Sequence, residues 1–319
     1  LGRTNPGDPP GRPYIAYNPG VPRPKLPATE QRNPRSRGLD LRSSFAIVRL
    51  MNLEDSAAVA AVRRELPRIA RAVDAIARAL ARGGRLIYVG AGTSGRLAVL
   101  DASEVPPTFG VPRTLVQGVI AGGRRALTEA VEGAEDDGAL GATDLRSRRV
   151  GARDVVVALT ASGSTPYVLG ALQFAKKQGA FTVAVTCNRA TPAQRIARLT
   201  IAPQTGPEVV AGSTRLKAGA AQKMVLNMLS TAAMVRLGHV YDHWMINVAR
   251  TNQKLRRRAL RILTEAAEVD VSRAEQALRH SGHDLRVALV TLKRGLSALG
   301  ARRALVNARG NLRRALGGY

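Results

Sequence analysis

The stretch Arg85–Gly110, RLIYVGAGTSGRLAVLDASEVPPTFG, carries the reading of the fold. It opens as an apolar run, turns through glycines and hydroxyls, and closes with a carboxylate, Glu104, beside two prolines. A short apolar run that ends at glycines reads as a buried strand. The segment after the turn reads as a helix beginning near Ser94. Gly90, Gly92 and Gly95 let the backbone approach a ligand and reach positive φ, and Thr93 and Ser94 add hydroxyls. The first amides of a helix have no intrahelical partner and carry partial positive charge, which suits an anion. The G-x-G-x-x-G spacing also matches the dinucleotide fingerprint. That fingerprint wants an acidic residue roughly 20 positions on, after a second strand. Asp101 comes too early and Glu104 sits before prolines, so the hydroxyl-rich loop favours a monophosphate over a pyrophosphate.

Working outward, DVVVALTASG (154–163) and FTVAVTCN (181–188) read as further buried strands, and RLTIAP (198–203) as a weaker one. Helical patterns lie between and after them at 124–134, 166–179 and 218–237, and a longer one precedes them from about Asp55 to Arg82, ended by Gly83 and Gly84. Strands alternating with helices predict an α/β fold, a doubly wound parallel sheet covered by helices on both faces. Ligands of such sheets sit beyond the carboxyl ends of the strands. Two further hydroxyl turns are therefore candidates. One is TASGSTP (160–166), with Ser162, Gly163, Ser164 and Thr165, and Pro166 suited to a helix start. The other is AGSTRLKAG (211–219), with Ser213 and Thr214 before a long apolar helix. A single Ser/Thr-Gly turn is commonly just a helix cap; two strand-following hydroxyl loops are the layout expected of a sugar-phosphate site.

The 319 residues are enough for one large or two modest domains. Residues 1–28 are rich in Pro and Gly and read as an irregular tail. Residues 29–255 read as the sugar-phosphate domain, and after about Thr251 the pattern becomes short helices, so 256–319 reads as a small helical C-terminal domain. The formal net charge of +26 favours anionic partners. Arginines are spread along the whole chain and aromatics make up 3% of it, so no dedicated nucleic-acid surface is expected. One cysteine, Cys187, excludes an intrachain disulfide framework and a zinc cluster. No apolar run reaches the roughly 18 residues of a membrane span, and no signal-peptide core is seen, so the expected location is the cytoplasm. His239, His243, His280 and His283 form no metal-ligand or catalytic pattern.

GAGTSGRLAVLDASEVPPTFG, IAGG…AVEGAEDD, ASGSTPYVLGAL and GSTRLKAGAAQKMVLNMLSTAAMVRLGHVY together resemble the N-acetylmuramic acid 6-phosphate etherases of the sugar isomerase (SIS) superfamily. The similarity runs from about Thr29 to the C-terminus. It implies a cytoplasmic enzyme of cell-wall recycling that cleaves the lactyl ether of N-acetylmuramic acid 6-phosphate to N-acetylglucosamine 6-phosphate and D-lactate. It also implies a homodimer that needs no metal or nucleotide cofactor. By motif position Glu104 matches the acid that protonates the departing lactate, and Glu135 the base at carbon 2. Glu208 is a rival acid–base residue, because related sugar-phosphate isomerases place a glutamate in a similar segment; it is equally read as a sugar ligand or a cap. Lys217 is a candidate for the substrate's negative charge, or a solvated helix residue. Two departures stand out: Ser164 where the family usually has arginine, and Asn247 where it commonly has aspartate. The readings left open are a lyase, a non-catalytic sugar-phosphate-binding regulator of the same fold, an isomerase using Glu208, and a nucleic-acid-binding regulator.

Overall fold

The structure is a computed structural model and describes residues 26–247 and 253–318. Most of the tail expected over residues 1–28 therefore lies outside the described residues. The first long element, α1 (Ser44–Ala81), starts where the Ser43 hydroxyl accepts from the Ala46 amide. It begins eleven residues before the apolar periodicity does, because its first turns carry exposed apolar side chains that give no one-sided pattern. The α/β unit follows: β1 (Leu86–Gly90), α2 (Gly92–Phe109), β2 (Val116–Ile120), α3 (Gly138–Ser147), β3 (Val155–Leu159), α4 (Pro166–Lys177), β4 (Phe181–Val185), α5 (Pro192–Ile196), β5 (Leu199–Ile201) and α6 (Lys217–Arg236).

The five strands are parallel and lie in the order β2-β1-β3-β4-β5. Side chains alternate across the strands, so each strand feeds two cores. Leu86, Tyr88, Val155, Val157 and Leu159 pack under α1, α2 and α6. Ile87, Val89, Val156, Ala158 and Ala184 pack against α3, α4 and α5. Burial on both faces explains why the strands read as continuous apolar runs. The chain leaves β1 first to one side, for β2, and then to the other, for β3. The order reverses there, and an open α/β sheet carries its ligand crevice at that point.

Three segments depart from the expectations above. Residues 124–134 do not form an α-helix. They form a short 3-10 turn (Gly123–Leu127) followed by irregular chain. Gly122 and Gly133 take positive φ there. Arg96 draws the carbonyls of Leu127 and Glu129 out of any helical ladder, its Nε donating to the first at 3.2 Å and its Nη2 to the second at 2.7 Å. The strand β2 and the helix α3 were not anticipated.

After α6 a small hairpin, β6 (Val240–Tyr241) with β7 (Trp244–Met245), leads to α7 (Gln253–Ala267), α8 (Val271–His280), α9 (Leu285–Arg294), α10 (Ala298–Asn307) and α11 (Leu312–Ala315). The last four each start at a polar side chain that accepts from first-turn amides: Asp270, Asp284, Ser297 and Asn311. They share a core of Ile262, Leu263, Leu289 and Leu312, joined by Ile246, Tyr241 and Trp244 from before α7. Among the described residues no helix is long and apolar enough to cross a membrane.

Asp154 fastens β1 to β3 at the edge remote from the crevice. It accepts from the Arg85 amide at 2.9 Å, from Arg85 Nη2 at 2.7 Å and from the Gly151 amide at 3.0 Å. Burial pushes its carboxyl up, but the Arg85 guanidinium and these amides outweigh burial and hold it below the usual carboxylate value. Asp154→Asn is expected to lower the unfolding free energy at neutral pH by about 1–3 kcal/mol. The folded pKa lies below the unfolded one, so this stabilisation is present above about pH 4 and is lost as pH falls through the folded value. Urea unfolding of the two proteins should show a gap at pH 7 that closes toward about pH 3; a gap that widens on acidification contradicts this assignment.

Candidate active site

The two loops beyond β1 and β3 are neighbours because their strands pair, Gly90 opposite Leu159. At the first, α2 starts at Gly92, which has φ +52, is exposed and has open space where a Cβ would stand. Thr93 is half-buried. Ser94 is buried and donates to Gln222 Oε1 at 2.8 Å, so its hydroxyl serves the seam between α2 and α6. Gly95 is also buried; a Cβ there would stand 2.7 Å from the Gly90 carbonyl, so this glycine lets α2 close onto β1.

The second loop is knitted by its own hydroxyls. Thr160, which the motif contains but which was not singled out, is the hub. Its Oγ1 accepts from the Gly163 amide at 3.1 Å and lies 2.8 Å from Thr165 Oγ1 and 3.3 Å from Ser162 Oγ. Ser162 Oγ accepts from the Ser164 amide at 3.2 Å and from the Ser164 hydroxyl at 3.1 Å. Gly163 has φ +78, and a Cβ there would run into Thr191 at 2.4 Å.

The third loop reaches the first two through α6. A Cβ on Gly219 would lie 3.6 Å from Thr93 Cγ2, and Ala218 packs with Ala161 and Cys187. Ser213 and Thr214 are half-buried in the turn before α6. The amides that start α6 are not open to a ligand, however. Glu208, fully buried, accepts from Lys217 N at 3.1 Å and from Ala218 N at 2.9 Å. Burial raises its pKa, with the two amides and Lys217 opposing that rise. Each of its oxygens accepts one amide of the helix start, the arrangement of a cap. Lys217 is likewise not placed to meet a substrate. Its ammonium is buried on the Glu54 carboxylate of α1, which Arg35 Nη1 also approaches at 3.2 Å. Burial alone would raise the Glu54 pKa; Lys217, with Asn33 and Arg35, outweighs it and lowers it. Burial pushes the Cys187 thiol up to about 12, so it is an inert core group.

Glu135 lies where the loops meet the crevice. It lines a hollow of about 220 Å³ together with Ala91, Gly92, Arg96 and Glu132. Its carbonyl accepts from the Tyr167 amide at 3.0 Å, which pins it to the start of α4. The same region is held from the other side by Arg96, a residue whose role only the fold reveals. Glu104 is elsewhere. It is exposed on α2, twelve residues past Gly92, which at 1.5 Å per residue is about 18 Å along the helix. The two glutamates of one chain therefore do not flank one hollow. Asn247 sits near the far end of α2, donating to the Phe109 carbonyl at 2.8 Å and lying 2.9 Å from His239 Nδ1. Burial first, and then Arg286, lower the His239 pKa. The Asn247 amide thus bridges the end of α2 and the His239 ring.

The fold and its loops define a sugar isomerase-type domain. Two family descriptions match the chain: the glucokinase regulatory protein N-terminal SIS domain over residues 68–176, and the SIS domain over residues 140–232. An N-acetylmuramic acid 6-phosphate etherase of Yersinia pestis (strain Pestoides F) is 53% identical over 288 residues, 90% of this chain and 98% of that one. One from Enterobacter sp. (strain 638) is 51% identical over 288 residues, 90% of this chain and 97% of that one. Among solved structures, a phosphoheptose isomerase from Francisella tularensis matches 58% of this chain and 97% of its own at 18% identity and a TM-score of 0.46. The chain belongs to the N-acetylmuramic acid 6-phosphate etherase family.

Breaking the buried pair tests the role given to Lys217. Glu54→Leu leaves a buried ammonium with no carboxylate and is expected to cost about 3–5 kcal/mol in denaturant unfolding. The double variant Glu54→Leu/Lys217→Met should recover most of that loss. A single-variant cost below about 0.5 kcal/mol, as for a solvated surface pair, contradicts the placement.

Proposed function

We propose that this protein cleaves the D-lactyl ether of N-acetylmuramic acid 6-phosphate, giving N-acetylglucosamine 6-phosphate and D-lactate. The observation that carries this reading is the convergence of the β1 and β3 loops at the switch point, with Glu135 in the adjoining hollow. Family membership supplies the substrate. The phosphoryl group is held by the first amides of α2 and by the hydroxyls of Thr93, Ser162, Ser164 and Thr165. Arg96, which lines the hollow, donates to the Leu127 and Glu129 carbonyls, and Lys217 is paired with Glu54. Helix-start amides and neutral donors can carry a phosphate without them.

An unactivated ether resists hydrolysis, so the route is elimination. With the sugar ring open, the carbonyl acidifies the hydrogen on carbon 2. Glu135 takes that proton, the bond between carbon 3 and the lactate oxygen breaks, and the oxygen leaves with a proton from Glu104. Water then adds across the carbon 2–carbon 3 double bond. The enzyme is thus a carbon–oxygen lyase, one carboxyl acting as base and the other as acid. The cytoplasmic location implied by the resemblance goes with this reading.

The distance of Glu104 from its own hollow fits a site completed by a second copy, and exposed apolar side chains support such a pairing. Phe45, Val48 and Leu53 on α1 and Leu100 on α2, one turn before Glu104, are exposed apolar side chains. A groove of about 960 Å³ between α1 and α6 is lined by Leu66, Ile69, Val73, Met224, Met228 and Val235. Patches of this kind mark association surfaces. In the homodimer, Glu104 of each chain serves the partner's hollow.

Purified protein should release D-lactate from N-acetylmuramic acid 6-phosphate. Glu104→Gln and Glu135→Gln should each reduce the rate by about 10²-fold or more with unchanged melting temperature. Co-expressed in one cell, the two inactive variants should regain about a quarter of wild-type activity, because each mixed dimer has one intact site. Full loss without regain contradicts the shared site. Sugar-phosphate binding without lactate contradicts the lyase reading.

A further inference from the structure

The segment between Leu26 and Arg42 has no part in the chemistry above, yet it is fastened across the edge that carries the loops. Thr29 is fully buried, and its hydroxyl accepts from Asn188 Nδ2 at 3.0 Å. The same amide nitrogen donates to the Ala161 carbonyl at 3.0 Å, so one side chain ties the segment to the second loop. Four residues on, Asn33 Nδ2 donates to the Pro207 carbonyl at 3.3 Å, next to Glu208. Glu30 lies between these two anchors. Its carboxylate rests over the third loop: a Cβ on Gly212 would stand 3.1 Å from Glu30 Oε2. Gly212 has φ +76 and, lacking a side chain, leaves that space to the carboxylate. Glu30 is exposed, and among the described residues no cationic group lies within ion-pairing distance of it.

The segment that carries Glu30 is anchored on both sides of it, and the carboxylate, unpaired among the described residues, stands beside the loop that leads into α6, the helix whose Gly219 approaches Thr93. An ionised carboxylate only accepts hydrogen bonds, so it repels a phosphate and attracts hydroxyl or amide donors. We infer that Glu30 is a substrate-binding residue that accepts from a neutral hydroxyl or the acetamido N–H of the sugar, and so sets which way round the sugar phosphate lies. The inference rests on the sugar-phosphate reading above. It adds a third acidic residue to the site, one that binds and does not transfer a proton in the elimination.

The test compares two ligands, N-acetylglucosamine 6-phosphate and inorganic phosphate, by calorimetric titration of the full chain. Glu30→Gln keeps the shape and removes the charge. It is expected to weaken the sugar phosphate by about tenfold or more while inorganic phosphate changes by less than about twofold or binds more tightly. Thr29→Val, which unties the segment, should weaken the sugar phosphate in the same selective way. Equal losses for both ligands make Glu30 a structural group, and unchanged affinity for both removes it from the site; either result overturns the inference. Wild-type lactate release combined with unaltered Glu30→Gln binding overturns this inference alone. A wild-type protein that binds neither ligand overturns the sugar-phosphate reading with it.

Discussion

The constraint on which the molecule rests is the side-by-side pairing of β1 and β3, with the chain crossing from one side of β1 to the other between them. Two parallel strands that share hydrogen bonds must end together, and the turns beyond them must touch. Each turn opens a helix, and helix starts carry amides that no helical carbonyl can satisfy. The helix starts of this protein differ in that respect. At α6, opened by the separate loop after β5, it supplies its own buried carboxylate, Glu208. At α2 the cap residue Ala91 has no side-chain acceptor for the first amides.

That difference organises the charges around the edge. Glu208 and Glu54 are buried and neutralised by local partners, and Lys217 is consumed in the process. What remains at the crevice is the amides that open α2, the hydroxyls of the β3 loop, Glu135, and Arg96, whose guanidinium donates to the Leu127 and Glu129 carbonyls. The formal net charge of +26 favours the approach of anionic ligands at longer range. Ser164 fits a loop whose donors are fixed in direction by Thr160 and Ser162.

The apolar runs that became β1, β3 and β4 were legible because burial on both faces leaves no polar interruption. The strand β2 was not. Gln117 and Gly118 break its run, and Gly118 is there because a Cβ would strike Val99 of α2 at 2.6 Å. Residues 124–134 looked helical because local spacing cannot show that Arg96, some thirty residues earlier, would claim their carbonyls. The hydroxyl loops were readable from composition and position. The separation of Glu104 from Glu135, the burial of Lys217 and the placement of Glu30 were not, because each depends on contacts between segments distant in sequence. Lys217 and Glu54, for example, are 163 positions apart.

The most direct test is a crystal structure with N-acetylglucosamine 6-phosphate bound. The phosphoryl oxygens should lie within hydrogen-bond distance of the backbone amides that open α2 and of hydroxyls from the β3 loop, with the sugar extending past Glu135. A phosphate found against α6, at the arginines of the outer surface or anywhere away from the β1–β3 crevice would contradict the account.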